Sequence, residues 1–210
     1  MVSSIARRAC LFALTMGVLA ASQPAWAQSA QAPPEWVTAL RGGGYVIIMR
    51  HGATHQDQAD TDPLNLANVA QQRQLNDAGR AKAREIGAAV KKLGIPIGQV
   101  ITSQYFRAIE TGRLAFGEPQ PTADVSEGGQ VVTPIENNRR TAALRKLAAT
   151  APPPGTNIAV VSHKPNILDA FGKDWFDVRE GEISIFKPDG AGGYKLVARV
   201  QADEWAKIAQ

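Results

Sequence analysis

Cysteine is nearly absent from this 210-residue sequence, which contains a single one, Cys10. Cys10 lies in an N-terminal stretch that we expect to be removed, so the remaining chain would have no thiol. Disulfide bonds, thiol nucleophiles and thiolate metal sites are therefore not expected in it. Histidine is also scarce, with three residues, and two of these follow apolar segments that have the pattern of buried strands.

The sequence has no apolar run of the ~20 residues that a transmembrane helix needs. Its main N-terminal run, residues 11–21, follows two arginines and precedes Ala25-Trp26-Ala27, a pattern typical of a cleaved secretory signal peptide. We therefore expect residues 1–27 to be a signal peptide and residues 28–210 to be the mature domain. This predicts a periplasmic or secreted protein with no membrane span after signal removal.

Neither sign of charge dominates the predicted mature chain. Without residues 1–27 the sequence has 21 Lys and Arg against 19 Asp and Glu, a net charge near +2. It has no dense Lys/Arg patch with interleaved aromatic residues, so nucleic-acid binding is not predicted. No cluster of His, Cys or Asp has the spacing of metal ligands, so we expect no metal and no other cofactor. The sequence leaves the oligomeric state open.

One apolar segment ends in residues that could do chemistry. Residues 45–49 are apolar and follow three glycines, which predicts a buried strand that ends at Arg50, His51 and Gly52. Strand ends in open α/β sheets face the crevice where ligands bind. Arginine offers a fixed cation there, beside a histidine that is a potential nucleophile.

Apolar segments alternate with helical patterns along the rest of the chain. The predicted helices cover residues 36–40, 76–93, 105–116 and 134–149. The predicted strands are 45–49, 100–101, 122–125 and 157–162, followed by a hairpin of 183–186 and 194–200. This order predicts a three-layer α/β/α sandwich with a mainly parallel sheet. The polar loop over 53–74 is predicted either to wall the substrate site or to be a disordered flap.

Four motifs occur in one order along the chain: Arg50-His51-Gly52, Leu75 followed by Gly79, Arg107-Ala108-x-x-Thr111 after a strand, and Val160-Val161-Ser162-His163. In these motifs the sequence resembles the histidine phosphatase superfamily, whose fold is phosphoglycerate mutase-like. The resemblance spans Tyr45 to His163. It implies that residues 28–210 form a histidine phosphatase domain.

The resemblance also implies roles for four residues. His51 would attack phosphorus and form a phosphohistidine, and Arg50 and Arg107 would bind the phosphate oxygens. His163, protonated while phosphate is bound, would add a further donor as negative charge shifts in the transition state. No metal is implied, and the expected partner is a small phosphorylated substrate or a phosphate ion.

The identity of the general acid is ambiguous in the sequence. One branch of the superfamily places a glutamate after the second arginine, where Glu127 and Glu136 are the candidates, and we favour Glu136 slightly. The other branch places an aspartate directly after the second histidine, where this chain has Lys164. Asp57 and Asp62 in the long loop are potential substitutes.

These observations predict an exported, metal-independent phosphomonoesterase of the histidine acid type. A phosphoglycerate mutase-like phosphoryl-transfer enzyme is one alternative, disfavoured by export and by Lys164-Pro165-Asn166 after the second histidine. The other alternative is a non-catalytic phosphate-binding module that kept the pocket and lost the acid. The sequence does not identify the natural substrate.

Overall fold

A six-stranded sheet lies at the centre of residues 33–128 and 132–210, which the computed structural model describes. Its strands are β1 Val46–Arg50, β2 Ile97–Ser103, β3 Gln120–Thr122, β4 Asn157–Ser162, β5 Ile183–Pro188 and β6 Tyr194–Val200. Their order is β3-β2-β4-β1-β5-β6. The pairings β3-β2, β2-β4 and β4-β1 are parallel, whereas β5 is antiparallel to both β1 and β6. The predicted mainly parallel sheet is confirmed.

Helices cover both faces of this sheet. They are α1 Glu35–Arg41, α2 Asp77–Lys92, α3 Phe106–Ala115, α4 Pro134–Ala148, α5 Lys164–Phe171 and α6 Ala202–Ile208. Ile47 and Met49 of β1 pack in one core with residues of α1, α2, α3 and α6. Val46 and Ile48 pack in a second core with residues of α4 and α5. Because successive strand residues point to opposite faces, one strand supplies both cores, and the three-layer prediction is confirmed.

Helix α2 begins where its sequence predicts. The side chain of Asn76 accepts a hydrogen bond of 2.8 Å from the Gly79 backbone N–H and caps the helix. Ile86 and Val90 lie four residues apart on its buried face, in the first core. The apolar stripe thereby fixes which face of α2 meets the sheet.

Three elements differ from the predictions, and one of them, α5, was not among the predicted helices. Residues 122–125 were predicted as a strand, but β3 ends at Thr122 and a 3₁₀ helix follows over Ala123–Val125. The Thr122 hydroxyl accepts a hydrogen bond of 3.2 Å from the Asp124 N–H, which favours the turn over continued strand pairing. Helix α6 was not predicted, and Gln201 and Glu204 begin it with a reciprocal capping box.

The predicted signal peptide, residues 1–27, lies outside the described residues. Within the described part of the chain, no helix is both long and apolar enough to cross a membrane.

The sheet order brings the sequence motifs to one edge. Strands β2, β4 and β1 are parallel neighbours, so their carboxyl ends meet there. Arg50 of β1 pairs with Ser162 of β4, and the next residues of the two strands are His51 and His163. Two histidines that are 112 positions apart in sequence therefore become neighbours.

Candidate active site

Backbone carbonyls hold His51 at its main-chain N–H and at one ring nitrogen. Its backbone N–H donates to the Ser162 carbonyl at 3.0 Å, and its Nδ1 lies 2.8 Å from the Gly52 carbonyl oxygen. A carbonyl only accepts hydrogen bonds, so Nδ1 carries the proton and Nε2 keeps a lone pair. The side chain is buried, and this tautomer leaves Nε2 as the nucleophilic atom.

His163 lies beside His51, with 5.1 Å between the ring centroids and 62° between the ring planes. Its Nε2 is 2.7 Å from the hydroxyl of Ser103, at the end of β2. Its Nδ1 has no hydrogen-bond partner among the described residues and is 3.6 Å from a carboxylate oxygen of Glu127. One nitrogen is therefore held by the sheet and the other remains for a ligand.

Both histidines are neutral in the free site. Burial lowers the pKa of His51 well below its usual range, and both the charge of Arg107 and any proton on His163 would lower it further. Burial likewise lowers the pKa of His163, with Arg107 as the next largest cause. A neutral imidazole is the form that can attack phosphorus.

Arg107 lies in the first turn of α3 and is fully buried. Its Nη1 donates to Asp60 at 3.0 Å, its Nη2 contacts Glu127, and the guanidinium lies 4.3 Å from the Tyr105 ring centroid. Its Nε is buried and makes no hydrogen bond within residues 33–128 and 132–210. The guanidinium is thus fixed in place and still has one donor to offer.

Arg50 is held in the same way at the end of β1. Its Nη1 donates to the Val178 carbonyl at 2.8 Å, and its Nη2 is 3.4 Å from Glu180. Its Nε is also buried without a partner in the described part of the chain. Burial lowers the pKa of Arg50, but a guanidinium remains charged in proteins. Arg50 and Arg107 therefore both keep a buried donor unused beside the two histidines.

Two further charged residues reach the site from the long loop, and the sequence analysis did not identify them. Arg73 donates to the Thr54 hydroxyl at 2.6 Å, and its charge lowers the pKa of both Arg50 and His163. Asp60 accepts from the Arg73 backbone N–H at 2.9 Å as well as from Arg107. Their only sequence signal is their place in the loop that was predicted to wall the site.

The other loop acids that the sequence analysis proposed as substitute acids lie elsewhere. Asp57 is exposed, and Asp62 accepts a hydrogen bond of 3.0 Å from the Asn68 side chain. Ser103 contacts His163, and Thr54 contacts Arg73. Both hydroxyls thus support residues of the site.

The two candidate glutamates have different surroundings. Glu136 accepts hydrogen bonds from Arg139 and Arg140 on its own helix, which lower its pKa to about 2. No hydrogen bond or ion pair in the described residues joins Glu136 to either histidine. Glu127 contacts Arg107 and lies 3.6 Å from His163. The structure therefore groups Glu127, and not Glu136, with the histidines and arginines.

The remaining motif residues hold the turn after β1. The Gly52 N–H donates to the Thr111 hydroxyl at 3.0 Å, and that hydroxyl donates to the Arg107 carbonyl at 2.7 Å. A side chain at Gly79 would overlap the backbone of Ala53, so glycine lets α2 approach the turn closely. These contacts join the first three motifs into one rigid unit.

Residues 33–128 and 132–210 contain no group of three or more His, Cys, Asp or Glu side chains arranged to hold a metal ion. The positive charges of this site come from arginine. Buried N–H donors around a neutral histidine match an anion with several oxygens, such as a phosphoryl group.

Comparison with known families gives one match. Residues 46–130 match the sequence profile of the histidine phosphatase superfamily (branch 1). The resemblance inferred from the sequence motifs is confirmed. No curated protein matches the chain.

Solved structures share the fold at low sequence identity. The protein histidine phosphatase SixA in complex with tungstate is 19% identical, with a TM-score of 0.52 over 76% of this chain and 98% of that one. A mutant phosphoserine phosphatase from Entamoeba histolytica, in complex with phosphoserine, is 16% identical, with a TM-score of 0.52 over 75% and 97%. A putative α-ribazole-5'-P phosphatase from Escherichia coli is 16% identical, with a TM-score of 0.53 over 76% and 98%. At this identity the likeness establishes the phosphoglycerate mutase-like fold alone.

Proposed function

We propose that this chain is a phosphomonoesterase that acts through a phosphohistidine on His51. The proposal starts from the match of residues 46–130 to the sequence profile of the histidine phosphatase superfamily (branch 1). One observation carries the proposal. Two buried N–H groups without partners in the described residues, Nε of Arg50 and of Arg107, and the unpartnered Nδ1 of His163 lie about a neutral His51 whose Nδ1 is hydrogen-bonded to the Gly52 carbonyl. A bound phosphoryl group would satisfy these donors.

In the first step Nε2 of His51 attacks phosphorus, and the bond from phosphorus to the ester oxygen breaks. Arg50 and Arg107 hold the phosphoryl oxygens and neutralise the charge that develops on them. His163 donates from Nδ1, while Ser103 keeps its ring in place. The Nδ1–H bond of His51 to Gly52 stabilises the positive charge on the phosphorylated ring.

The leaving oxygen needs a proton, and we assign its delivery to Glu127. The sequence analysis favoured Glu136 slightly, but geometry supports Glu127, which lies beside His163 and Arg107. Glu136, with a pKa of about 2, is a poor proton donor near neutral pH.

In the second step the Glu127 carboxylate takes a proton from water, which attacks the phosphohistidine. The bond from phosphorus to Nε2 breaks, and inorganic phosphate leaves with neutral His51 restored. The same carboxyl group thus acts first as an acid and then as a base. Each step uses side chains of this chain alone, and we propose that the reaction needs no metal.

Two alternative functions would give results different from those of a phosphatase. A phosphate-binding module without catalysis would bind phosphate but release none from an ester, and the position of Glu127 argues against it. A phosphoglycerate mutase-like enzyme would exchange the position of a phosphoryl group on its substrate. We also propose a periplasmic or secreted location, which rests on the signal-peptide pattern of residues 1–27.

Rapid acid-quench trapping tests the proposal. With ³²P-labelled p-nitrophenyl phosphate and excess chelator, we expect an acid-labile phosphoenzyme in the wild type. His51→Asn, whose side-chain amide can still donate to the Gly52 carbonyl, should form none and should lose turnover. Turnover by His51→Asn at the wild-type rate, or activity that disappears with chelator and returns with a divalent ion, would contradict the mechanism.

A further inference from the structure

A cavity of about 430 Å³ opens directly beside the proposed general acid. Glu127 and Tyr105 line it, and both also belong to the catalytic site. The Tyr105 ring lies 5.3 Å from the His163 ring and 4.3 Å from the Arg107 guanidinium. The volume falls within the roughly 300–1,000 Å³ that is usual for small-molecule sites.

The geometry of the proposed reaction places the leaving group of the ester in this cavity. In an in-line displacement the leaving oxygen departs on the side of phosphorus opposite the nucleophile, His51. The group that protonates it must lie within hydrogen-bond reach of that oxygen. If Glu127 is that group, the alcohol part of the ester extends past Glu127 into the cavity.

The cavity wall contributed by the long loop is apolar. Pro63, Leu64 and Leu66 lie there, and Val132 faces the cavity from the segment that leads into α4. Leu64 is 83% exposed, which leaves its side chain available to a ligand. The loop thus presents an apolar surface at the mouth of a charged site.

The charges in the cavity do not favour an anionic ligand. The charged residues among its described lining are Glu127, Glu136 and Arg140. Arg140, the one cation of the three, donates to Glu136 at 2.9 Å and to the carbonyls of Ser126 and Glu127 at 3.0 and 3.2 Å.

From this lining we infer that the substrates are phosphomonoesters of uncharged, largely apolar alcohols, bound with the alcohol against Leu64 and Leu66. The inference rests on the proposed phosphatase function and adds its substrate class. Esters whose alcohol carries a carboxylate or a second phosphate are poor substrates, because Glu136 already occupies the cation that would pair with them.

The test compares alkyl phosphates whose leaving alcohols have similar acidity. Each methylene that leaves water raises binding by about fourfold, so four more methylenes give at most about 250-fold. Because the cavity is open to solvent, we expect kcat/KM for n-hexyl phosphate to exceed that for ethyl phosphate by at least about tenfold. The phosphate ester of 3-hydroxypropanoate, which carries a carboxylate and no ammonium, should be hydrolysed less efficiently than ethyl phosphate.

Substitutions test which residues cause the preference for the longer alkyl chain. Leu64→Ser should reduce the hexyl-to-ethyl ratio of kcat/KM by about threefold or more, as expected for loss of apolar contact at an exposed position. Leu196→Ser, on β6 and 38% exposed, is the matched control and should leave the ratio unchanged. Glu136→Gln should raise kcat/KM for the 3-hydroxypropanoate ester relative to ethyl phosphate, since it releases Arg140 to pair with the carboxylate.

Calorimetry with n-hexylphosphonate and ethylphosphonate separates this inference from the function on which it rests. Tighter binding of n-hexylphosphonate without hydrolysis of any ester would support the cavity and reject the phosphatase proposal. Hydrolysis with a hexyl-to-ethyl ratio near one, or a ratio that Leu64→Ser does not change, would overturn the substrate class and leave the phosphatase proposal intact.

Discussion

Proton transfer to the leaving oxygen depends on one carboxyl group, and two glutamates are candidates in the sequence. Glu127→Gln keeps an oxygen that can accept from Arg107 but cannot deliver a proton. We expect this variant to lose about 10²–10⁴ in kcat for alkyl phosphates, the usual contribution of general acid catalysis. Its loss for p-nitrophenyl phosphate should be much smaller in the first step, because that leaving group departs without protonation.

Glu136→Gln is the matched variant. Because Glu136 is paired with Arg139 and Arg140, we expect the ratio of alkyl to p-nitrophenyl turnover to stay near its wild-type value. Burst kinetics with both esters separates the first step from phosphoenzyme hydrolysis. A selective loss of alkyl phosphate turnover in Glu136→Gln, with Glu127→Gln unaffected, would reverse the assignment.

The two buried histidines also predict how stability depends on pH. Their pKa values are lowered in the folded protein, so the unfolded chain takes up more protons as the pH falls below about 6.5. Their contribution to stability is therefore complete at higher pH and is lost as the pH falls. Each histidine can contribute up to about 1.4 kcal/mol per pH unit in this window.

Urea unfolding between about pH 7.5 and 5 measures this slope. We expect a fall in the free energy of unfolding for the wild type and a shallower fall for His163→Gln, in which one titrating group is absent. His55→Gln, at a half-buried position, tests whether the loss of any histidine gives the same change. Equal slopes in wild type and His163→Gln would show that His163 is not held neutral.

At the level of elements, the close approach of α2 to the turn after β1 depends on Gly79. Alanine normally stabilises a helix interior by about 1 kcal/mol relative to glycine. Here the added methyl would overlap the Ala53 backbone, so we expect Gly79→Ala to destabilise the protein by about 1–3 kcal/mol. It should also lower turnover, because Ala53 lies two residues from His51.

Gly190→Ala is a useful comparison for this prediction. Gly190 has a φ of 77° and no atom within 4 Å of the position of an added Cβ, so its substitution carries backbone strain alone. That cost is about 1–2 kcal/mol, without an effect on turnover. Chemical denaturation and p-nitrophenyl phosphate kinetics measure both quantities. An increase in stability for Gly79→Ala would exclude the proposed close packing.

At the level of the whole molecule, the predicted signal peptide implies two forms of the protein, an unprocessed precursor and a mature chain without residues 1–27. Removal of residues 1–27 would take away the only cysteine and two arginines. We expect the exported protein to begin at or near Gln28, and intact-mass measurement of the periplasmic or secreted fraction tests this. Recovery of only the unprocessed chain from the cytoplasm would contradict export.

The sequence by itself determined the architecture of the described residues. Continuous apolar runs predict strands buried on both faces, and the stripe on α2 predicts which face of that helix packs, because each pattern is local. The same logic put His51 and His163 at strand ends. Elements marked by weaker local signals, such as α6 and the short β3, were missed or misplaced.

Tertiary structure alone decided how the charged residues group around the histidines. Asp60 meets Arg107 across 47 positions and Glu127 meets it across 20, and no local periodicity encodes contacts between a loop and a helix start. In the sequence, Glu136 looks as well suited as Glu127 to be the general acid. In the structure it pairs with two arginines of its own helix. The choice between the two glutamates follows from long-range packing, since only the folded chain places one carboxyl beside His163.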